Sequence, residues 1–122
     1  MGLNVVLLAS DAKTAQYLAG GLAPHFHSVV LANSRDKLRE EVTRNHPEAV
    51  VVEIECSRLT EVRNLHHDFP TLPIVCTHRI PDEELWMAAL EAGTSDVCPS
   101  DDVRNVLNSV LRSIDVARGV AA

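Results

Sequence analysis

The chain has 122 residues, of which 46% are hydrophobic and 23% are charged. This length fits one domain with a real core and excludes a multidomain enzyme with its own cofactor module, while the composition excludes a disordered or fibrous chain. The formal net charge of −6 comes from 11 Lys and Arg against 17 Asp and Glu. Because such a charge repels phosphate backbones and anionic lipid, we expect no direct binding to nucleic acid or membrane.

Two further features bear on location. No apolar run approaches the roughly 18 residues of a membrane-spanning helix, and the start of the chain lacks the basic region of a signal peptide. Cys56, Cys76 and Cys98 are widely spaced and form no CxxC pair, which is typical of reduced thiols. We therefore expect a cytoplasmic protein with cysteines in its core. A zinc or redox site where these cysteines lie at strand ends is the alternative.

Five short apolar runs, rich in β-branched residues and bounded by polar or turn residues, predict strands. They are Asn4–Ala9, Ser28–Ala32, Ala49–Ile54, Pro73–Thr77 and Asp96–Cys98. Residues 5–8 and 49–52 are continuously apolar rather than alternating, which is typical of strands covered by helices on both faces. These two strands are therefore predicted to be central.

Helical periodicity fills the segments after each run. The predicted helices extend from a cap at Ser10 or Asp11 through Leu22, from Ser34 to before Pro47, from near Ser57 to before Pro70, from after Pro81 to Gly93, and from Asp101 or Asp102 onward. The last helix is predicted to place one apolar stripe on the sheet rather than on a dimer seam: Val103, Leu107, Val110, Ile114 and Ala117. Residues 118–122 are expected to be a frayed end or the start of a linker.

Strands that alternate with helices predict right-handed crossovers and a parallel sheet with helices on both faces. We expect residues 1–122 to form one domain, a doubly wound, five-stranded sandwich of the flavodoxin-like class. In such folds the functional crevice lies outside the carboxyl ends of the strands, where the strand order reverses. The candidate residues at those ends are Ser10, Asp11, Glu53, Glu55, Thr77, His78, Pro99 and Ser100.

Three segments resemble the receiver domains of two-component response regulators. They are residues 47–53 (PEAVVVE), residues 73–78 (PIVCTH) and residues 91–97 (EAGTSDV), the last of which ends a helix with an Ala-Gly turn and leads into a short strand. The resemblance extends over essentially the whole chain and implies the receiver fold, (βα)5.

The chemistry of receivers carries over to only some positions. The resemblance places Glu53 at the phosphoacceptor position and Thr77 at that of the switch hydroxyl. Receivers have an acidic pair for Mg²⁺ where residues 9–10 are Ala and Ser, and Asp11 comes one residue late. They have a lysine where this chain has Ser100. The resemblance therefore implies a degenerate receiver, a pseudo-receiver, without a Mg²⁺ cofactor and without enzymatic activity.

We expect such a module to act through protein interaction in signalling. Helix four carries Trp86, Met87 and Leu90, more apolar residues than one buried stripe needs, so they are the candidate partner face together with strand five and helix five. The aromatic residue that receivers have in strand five is Val97 here. The partner would be a signalling protein or a histidine kinase, and a homodimer is a further alternative.

Three other functions remain open for the same crevice. Glu53 could imitate a phosphorylated aspartate by projecting its carboxylate toward Thr77. Glu53 or Glu55 could instead be an atypical phosphoacceptor that a histidine kinase modifies. The crevice could also bind a metabolite, which would make the domain a small-molecule sensor.

Overall fold

The structure, a computed structural model, describes residues 2–9, 11–54, 59–80 and 82–119. Strands and helices alternate along this part of the chain. In order they are β1 (Asn4–Leu8), α1 (Ala12–Leu22), β2 (Ser28–Ala32), α2 (Arg35–Asn45), β3 (Ala49–Glu53), α3 (Leu59–Asp68), β4 (Ile74–His78), α4 (Glu83–Glu91), β5 (Asp96–Pro99) and α5 (Val103–Ala117). None of the helices in the described ranges is long and apolar enough to cross a membrane.

The five strands form one parallel sheet in the order β2-β1-β3-β4-β5. The chain moves outward from β1 to β2, then returns past β1 to β3, so the strand order reverses between β1 and β3. The carboxyl ends of these two strands frame the crevice where doubly wound folds bind ligands. The predicted flavodoxin-like class is confirmed.

Two core layers cover the two faces of the sheet, because successive residues of a strand point to opposite faces. Val5, Leu7 and Val51 pack with side chains of α1 and α5. Val6 and Val50 pack instead with side chains of α2, α3 and α4. β1 and β3 are therefore buried on both faces, which is why their sequences are continuously apolar.

Short polar side chains begin four of the helices. Asp11, Ser34, Asp82 and Asp102 each accept a hydrogen bond from the backbone N–H three residues further on. These bonds satisfy donors that a helix start leaves without an intrahelical partner. Of the two alternatives that the sequence left for the first and last caps, Asp11 and Asp102 are the caps. The predicted start of the third helix near residue 57 lies outside the described residues, whereas α4 begins at Glu83, after residue 81 as predicted.

The prediction for the buried stripe of α5 was partly wrong. Val110 and Ile114 are buried as expected, but Val106 and Ser109 are buried with them, whereas Ala117 is exposed. Val103 and Leu107 pack against the same core layer while partly exposed, and Ser109 donates a hydrogen bond to the Asp96 carboxylate of β5, with 2.5 Å between the oxygens. A polar residue therefore occupies a position that hydrophobic periodicity alone would assign to the surface.

Candidate functional site

A row of three side chains crosses the carboxyl edge of the sheet. Glu53 of β3 is paired with Thr77 of β4, which is paired with Cys98 of β5. Each is at most 1% exposed. Cys98 belongs to the core layer under α1 and α5, and so do Val51 and Val75, which lie two positions before Glu53 and Thr77. Because alternate residues of a strand point to the same face, the side chains of Glu53, Thr77 and Cys98 all point to that face. The glutamate that the resemblance places at the phosphoacceptor position is thus fully buried.

Thr77 makes no side-chain hydrogen bond in the described part of the chain. Its Oγ1 atom is buried, and no donor or acceptor among the described residues lies within hydrogen-bonding distance of it. The Glu53 carboxylate therefore does not bond to this hydroxyl, although the two residues are cross-strand partners. The contact that phosphoaspartate mimicry would use is absent from this conformation.

Asp11 serves the first helix. Its Oδ2 atom accepts hydrogen bonds from the backbone N–H of Thr14 at 3.3 Å and from the Thr14 hydroxyl at 3.0 Å. These bonds hold the pKa of Asp11 below its ordinary value, and the charge of Arg79 acts in the same direction. The Asp11 carboxylate therefore serves as the N-cap of α1.

The described residues of this edge do not form a Mg²⁺ site. Mg²⁺ sites in proteins use carboxylates that share their ion with water and substrate oxygens. Within the described ranges, no three His, Cys, Asp or Glu side chains come together in a group that could hold a metal. Asp11 caps α1, and the side chain of Ala9 has no ligand atom. Two other candidates, Ser10 and Glu55, lie outside the described residues.

Ser100 follows β5 and is held firmly in place. Its N–H donates to the carbonyl of His78 at 2.8 Å, which extends the pairing of β4 and β5 by one residue. The residue is 5% exposed, and its Oγ atom is buried with no hydrogen-bond partner among the residues that the structure describes. The residue that the resemblance places at the lysine position thus has a buried hydroxyl and no charge.

Positive charge reaches this edge from two other elements. Lys13 of α1 and Arg79, which follows β4, line one cleft of about 420 Å³ together with Ser100. Sequence reasoning missed both residues. The only signal was that each lies within two residues of a predicted strand end or helix cap, which does not show that the two side chains share a cleft.

Tyr17 closes one side of the same cleft. Its hydroxyl donates to the backbone carbonyl of Asp101 at 2.9 Å and accepts from the backbone N–H of Val103 at 3.3 Å. These bonds connect the middle of α1 to the start of α5. The cleft is therefore bounded by a fixed backbone segment and by the exposed Asp101 carboxylate on its rim.

The predicted partner residues on α4 are exposed. Trp86, Met87 and Leu90 are 42%, 51% and 38% accessible, while Ala89 on the opposite side of the helix is fully buried. Ile80, in the loop before the helix, adds another exposed apolar side chain. We call Ile80, Trp86, Met87 and Leu90 the α4 patch.

The alternative of a zinc or redox site does not fit the described cysteines. Cys76 lies in the core layer under α2, α3 and α4, whereas Cys98 lies in the other layer. Burial raises the pKa of Cys76 to about 11 and also raises that of Cys98, whose Sγ atom lies 3.1 Å from the Ser109 hydroxyl. Both thiols are neutral core groups. Cys56 lies outside the described residues.

Comparison with known proteins supports the architecture. The sequence matches no family model and no curated protein. Among solved structures, the signal receiver domain of an HD domain-containing protein from Pseudomonas fluorescens Pf-5 is 14% identical with a TM-score of 0.86, and the match covers 98% of this chain and 99% of that one. A CheY-like response regulator receiver domain protein from Methanospirillum hungatei JF-1 is 12% identical, with a TM-score of 0.84 and coverage of 96% and 97%.

A third structure contains a domain of the same fold inside a longer protein. NtrX from Brucella abortus is 18% identical with a TM-score of 0.84, and the match covers 99% of this chain but 29% of NtrX. Identities this low establish shared architecture and leave function to be argued from the site. The chain has the fold of the response regulator receiver domains.

Proposed function

We propose that the chain is a receiver-like module of two-component signalling that has lost phosphorylation chemistry and acts by binding a protein partner. The observation that carries this proposal is the changed carboxyl edge of the sheet. Asp11 caps α1 instead of joining an acidic cluster, and Ser100 stands where receivers have a lysine. A module of this kind regulates other proteins and has no catalytic activity of its own.

The physical argument concerns charge. Phosphoryl transfer to a carboxylate concentrates negative charge on the transferred group, which a divalent cation and a fixed positive side chain normally neutralise. The described residues form no metal cluster, and Ser100 contributes no charge. Glu53 is fully buried, so a phosphodonor would reach its carboxylate only after the edge opened. These features disfavour the alternative of an atypical phosphoacceptor.

The α4 patch is the proposed partner surface. Tryptophan and methionine are enriched at protein interfaces, and Trp86 and Leu90 lie four residues apart on one side of the helix. Exposed acidic residues flank the patch at Glu83, Glu84 and Glu91. We therefore expect a protein partner with an apolar centre and a basic rim, either a signalling protein or a histidine kinase. With a net charge of −6, a nucleic acid is not expected to bind.

A titration followed by amide NMR tests the loss of phosphorylation chemistry. Mg²⁺ is added first, and then beryllofluoride, which imitates an acyl phosphate on receivers. We expect no saturable Mg²⁺-dependent shift at Glu53 or Thr77. Such shifts would contradict the proposal, as would an added phosphoryl group on Glu53 or Glu55 in mass spectra after treatment with acetyl phosphate.

The partner surface needs its own experiment with a matched control. A photo-crosslinking amino acid at position 86 should capture a partner in cells, and Met87→Ser together with Leu90→Ser should abolish the capture. The same crosslinker at Leu31, an exposed apolar residue on the edge strand β2, is the control. Equal capture from positions 31 and 86 would contradict the proposal. Capture of the chain itself from position 86, with a dimer in sedimentation, would favour the homodimer.

A second candidate function, a small-molecule sensor, is favoured by one observation. The cleft that Lys13, Arg79 and Ser100 line lies at the carboxyl edge, and it combines positive charge with an unsatisfied buried hydroxyl. A sensor of this kind predicts a thermal shift with a specific metabolite, and a flat screen would count against it.

A further inference from the structure

Four polar side chains of β5 and α5 form a continuous series of contacts from the surface to the core. Arg112, whose side chain is 68% exposed, donates to the Asp96 carboxylate at 3.1 Å. The Ser109 hydroxyl lies 2.5 Å from the same carboxylate oxygen and 3.1 Å from the Sγ atom of Cys98. Ser109 and Cys98 are both buried. We call Arg112, Asp96, Ser109 and Cys98 the polar relay.

The chemistry of these groups sets the direction of the hydrogen bonds. An ionised carboxylate can only accept, so the Ser109 hydroxyl gives its single proton to Asp96. The Ser109 oxygen is then an acceptor, and the Cys98 thiol is the donor across the 3.1 Å contact. The second oxygen of the Asp96 carboxylate accepts from the Val97 N–H at 2.8 Å, which holds the carboxylate in place. In this arrangement the thiol proton points toward Ser109.

The Cys98 thiol also has a second acceptor within reach. Asn105, in the first turn of α5, places its side-chain oxygen 3.7 Å and its backbone carbonyl 3.9 Å from the Cys98 Sγ atom. Both contacts are longer than the one to Ser109. Because a thiol has one proton, it can point toward Ser109 or toward Asn105. The polar relay therefore has two arrangements, and the Ser109 oxygen decides between them by how well it accepts.

The exposed ion pair biases this choice. Hydrogen bonds in a series polarise one another, so a stronger acceptor at one end strengthens the bonds behind it. Arg112 shares one oxygen of Asp96 with Ser109 and offsets part of its negative charge. An anionic group that drew Arg112 away would make Asp96 a stronger acceptor. The bonds that Ser109 and Cys98 donate would then both strengthen.

We propose that the polar relay is a conformational device that transmits ionic contacts at Arg112 to the Cys98 thiol in the buried row of the carboxyl edge. Its input is an anionic group that engages the exposed guanidinium. Its output is the hydrogen-bond state of a side chain whose cross-strand partner is Thr77. The device involves no covalent step and no residue of the α4 patch, so it can be tested separately from the proposed docking function.

Infrared spectroscopy of the thiol stretching band tests the proposal. The Cys98 band is the S–H band that Cys98→Ala removes, and it moves to lower frequency when the thiol donates a stronger hydrogen bond. Arg112→Gln should move the Cys98 band to lower frequency, because Asp96 becomes a stronger acceptor. Sodium chloride at about 1 M screens the exposed ion pair, so it should move the wild-type band in the same direction and leave the band of Arg112→Gln unchanged.

Two variants examine the buried end of the polar relay. Ser109→Ala removes the nearest acceptor and leaves only the longer contacts to Asn105, so the Cys98 band should move to higher frequency. Asp96→Asn replaces the charged acceptor by a neutral one and should move the band in the same direction. Arg104→Gln is the matched control: Arg104 is an exposed arginine of the same helix, and no carboxylate of the described residues lies within ion-pair distance of it. Its band should coincide with that of the wild type.

Three results would overturn the proposal. An unchanged band in Ser109→Ala would show that the thiol does not donate to Ser109, and an unchanged band in Arg112→Gln would show that the ion pair is not coupled to the thiol. Equal shifts in Arg112→Gln and Arg104→Gln would show a general effect of charge. Amide NMR spectra check that each variant is folded. If Ser109→Ala does not fold, the salt titration of the wild type decides, because it requires no substitution in the core.

Discussion

Replacing Thr77 by valine should stabilise the protein, although threonine at this position resembles the switch hydroxyl of receivers. Valine has nearly the same shape and keeps the preference for a strand. The Thr77 hydroxyl is fully buried and makes no hydrogen bond within the described part of the chain. The substitution therefore removes an unsatisfied polar group and leaves a methyl group in an apolar core layer.

The expected magnitude follows from the cost of an unmade hydrogen bond. A buried donor or acceptor without a partner costs about 1–3 kcal/mol, so Thr77→Val should raise the free energy of unfolding by at least about 1 kcal/mol. For a domain of this size, that corresponds to a rise in Tm of about 4 °C. Urea unfolding followed by circular dichroism measures the change, and an unaltered m-value shows that the native and unfolded states stay comparable.

Thr94 provides a matched control for the same substitution. It is also buried, but its hydroxyl donates to the Ile74 carbonyl at 2.6 Å and lies 3.0 Å from the Asp96 carbonyl. Thr94→Val should lower the free energy of unfolding by about 1–2 kcal/mol. The two substitutions are thus expected to change the free energy of unfolding in opposite directions. A loss of stability in Thr77→Val equal to that in Thr94→Val would refute the reasoning and show that the Thr77 hydroxyl has a structural partner.

Three further predictions concern other elements. Gly93→Ala should lower the free energy of unfolding in urea by about 1–3 kcal/mol, because φ at Gly93 is +106° and the new Cβ would lie 2.4 Å from the His66 ring. Gly20→Ala, at a position on α1 with open space around it, should instead raise the free energy of unfolding by about 0.5–1 kcal/mol. Asp11→Ala should lower Tm, and Asp11→Asn should make the stability depend less on pH in acid. The lowered pKa of Asp11 stabilises the protein above pH 3.8, the ordinary pKa, and this stabilisation is lost as the pH falls through the pKa of the folded state. Cys76, whose pKa is raised from 9.0 to about 11, should not react with iodoacetamide at pH 8 until the chain unfolds, and rapid labelling of the native protein would contradict the burial. The contribution of the neutral Cys76 thiol to stability is complete below pH 9.0 and is lost as the pH rises through about 11.

Much of the fold was predictable because it depends on local patterns. Residues 49–52 are continuously apolar, and the structure buries them on both faces of the sheet. Asp82 precedes the acidic first turn of α4 and caps it. Periodicity and capping are properties of a few neighbouring residues, so a single sequence carries them. Right-handed crossovers then limit the possible strand orders, and the structure shows which one the chain adopts, β2-β1-β3-β4-β5.

The residues that the sequence did not reveal depend on contacts between distant elements. Ser109 is buried because Asp96, thirteen positions earlier, accepts its hydrogen bond. The cleft exists because Lys13, Arg79 and Ser100 come from three loops or helix starts that only the sheet brings together. A charged residue near a strand end is common, and nothing in the sequence distinguishes one that faces a neighbour from one that faces water.

The carboxyl edge of the sheet keeps two buried hydroxyls that its own stability does not explain. Thr77 and Ser100 both lack partners within the described ranges, and each unmade bond costs about 1–3 kcal/mol. Alanine or valine would remove that cost without disturbing the strands. Natural proteins carry such costs mainly where function requires the group. The resemblance places Thr77 at the switch hydroxyl of receivers and Ser100 at their lysine, so only the first of the two hydroxyls has a counterpart in that family.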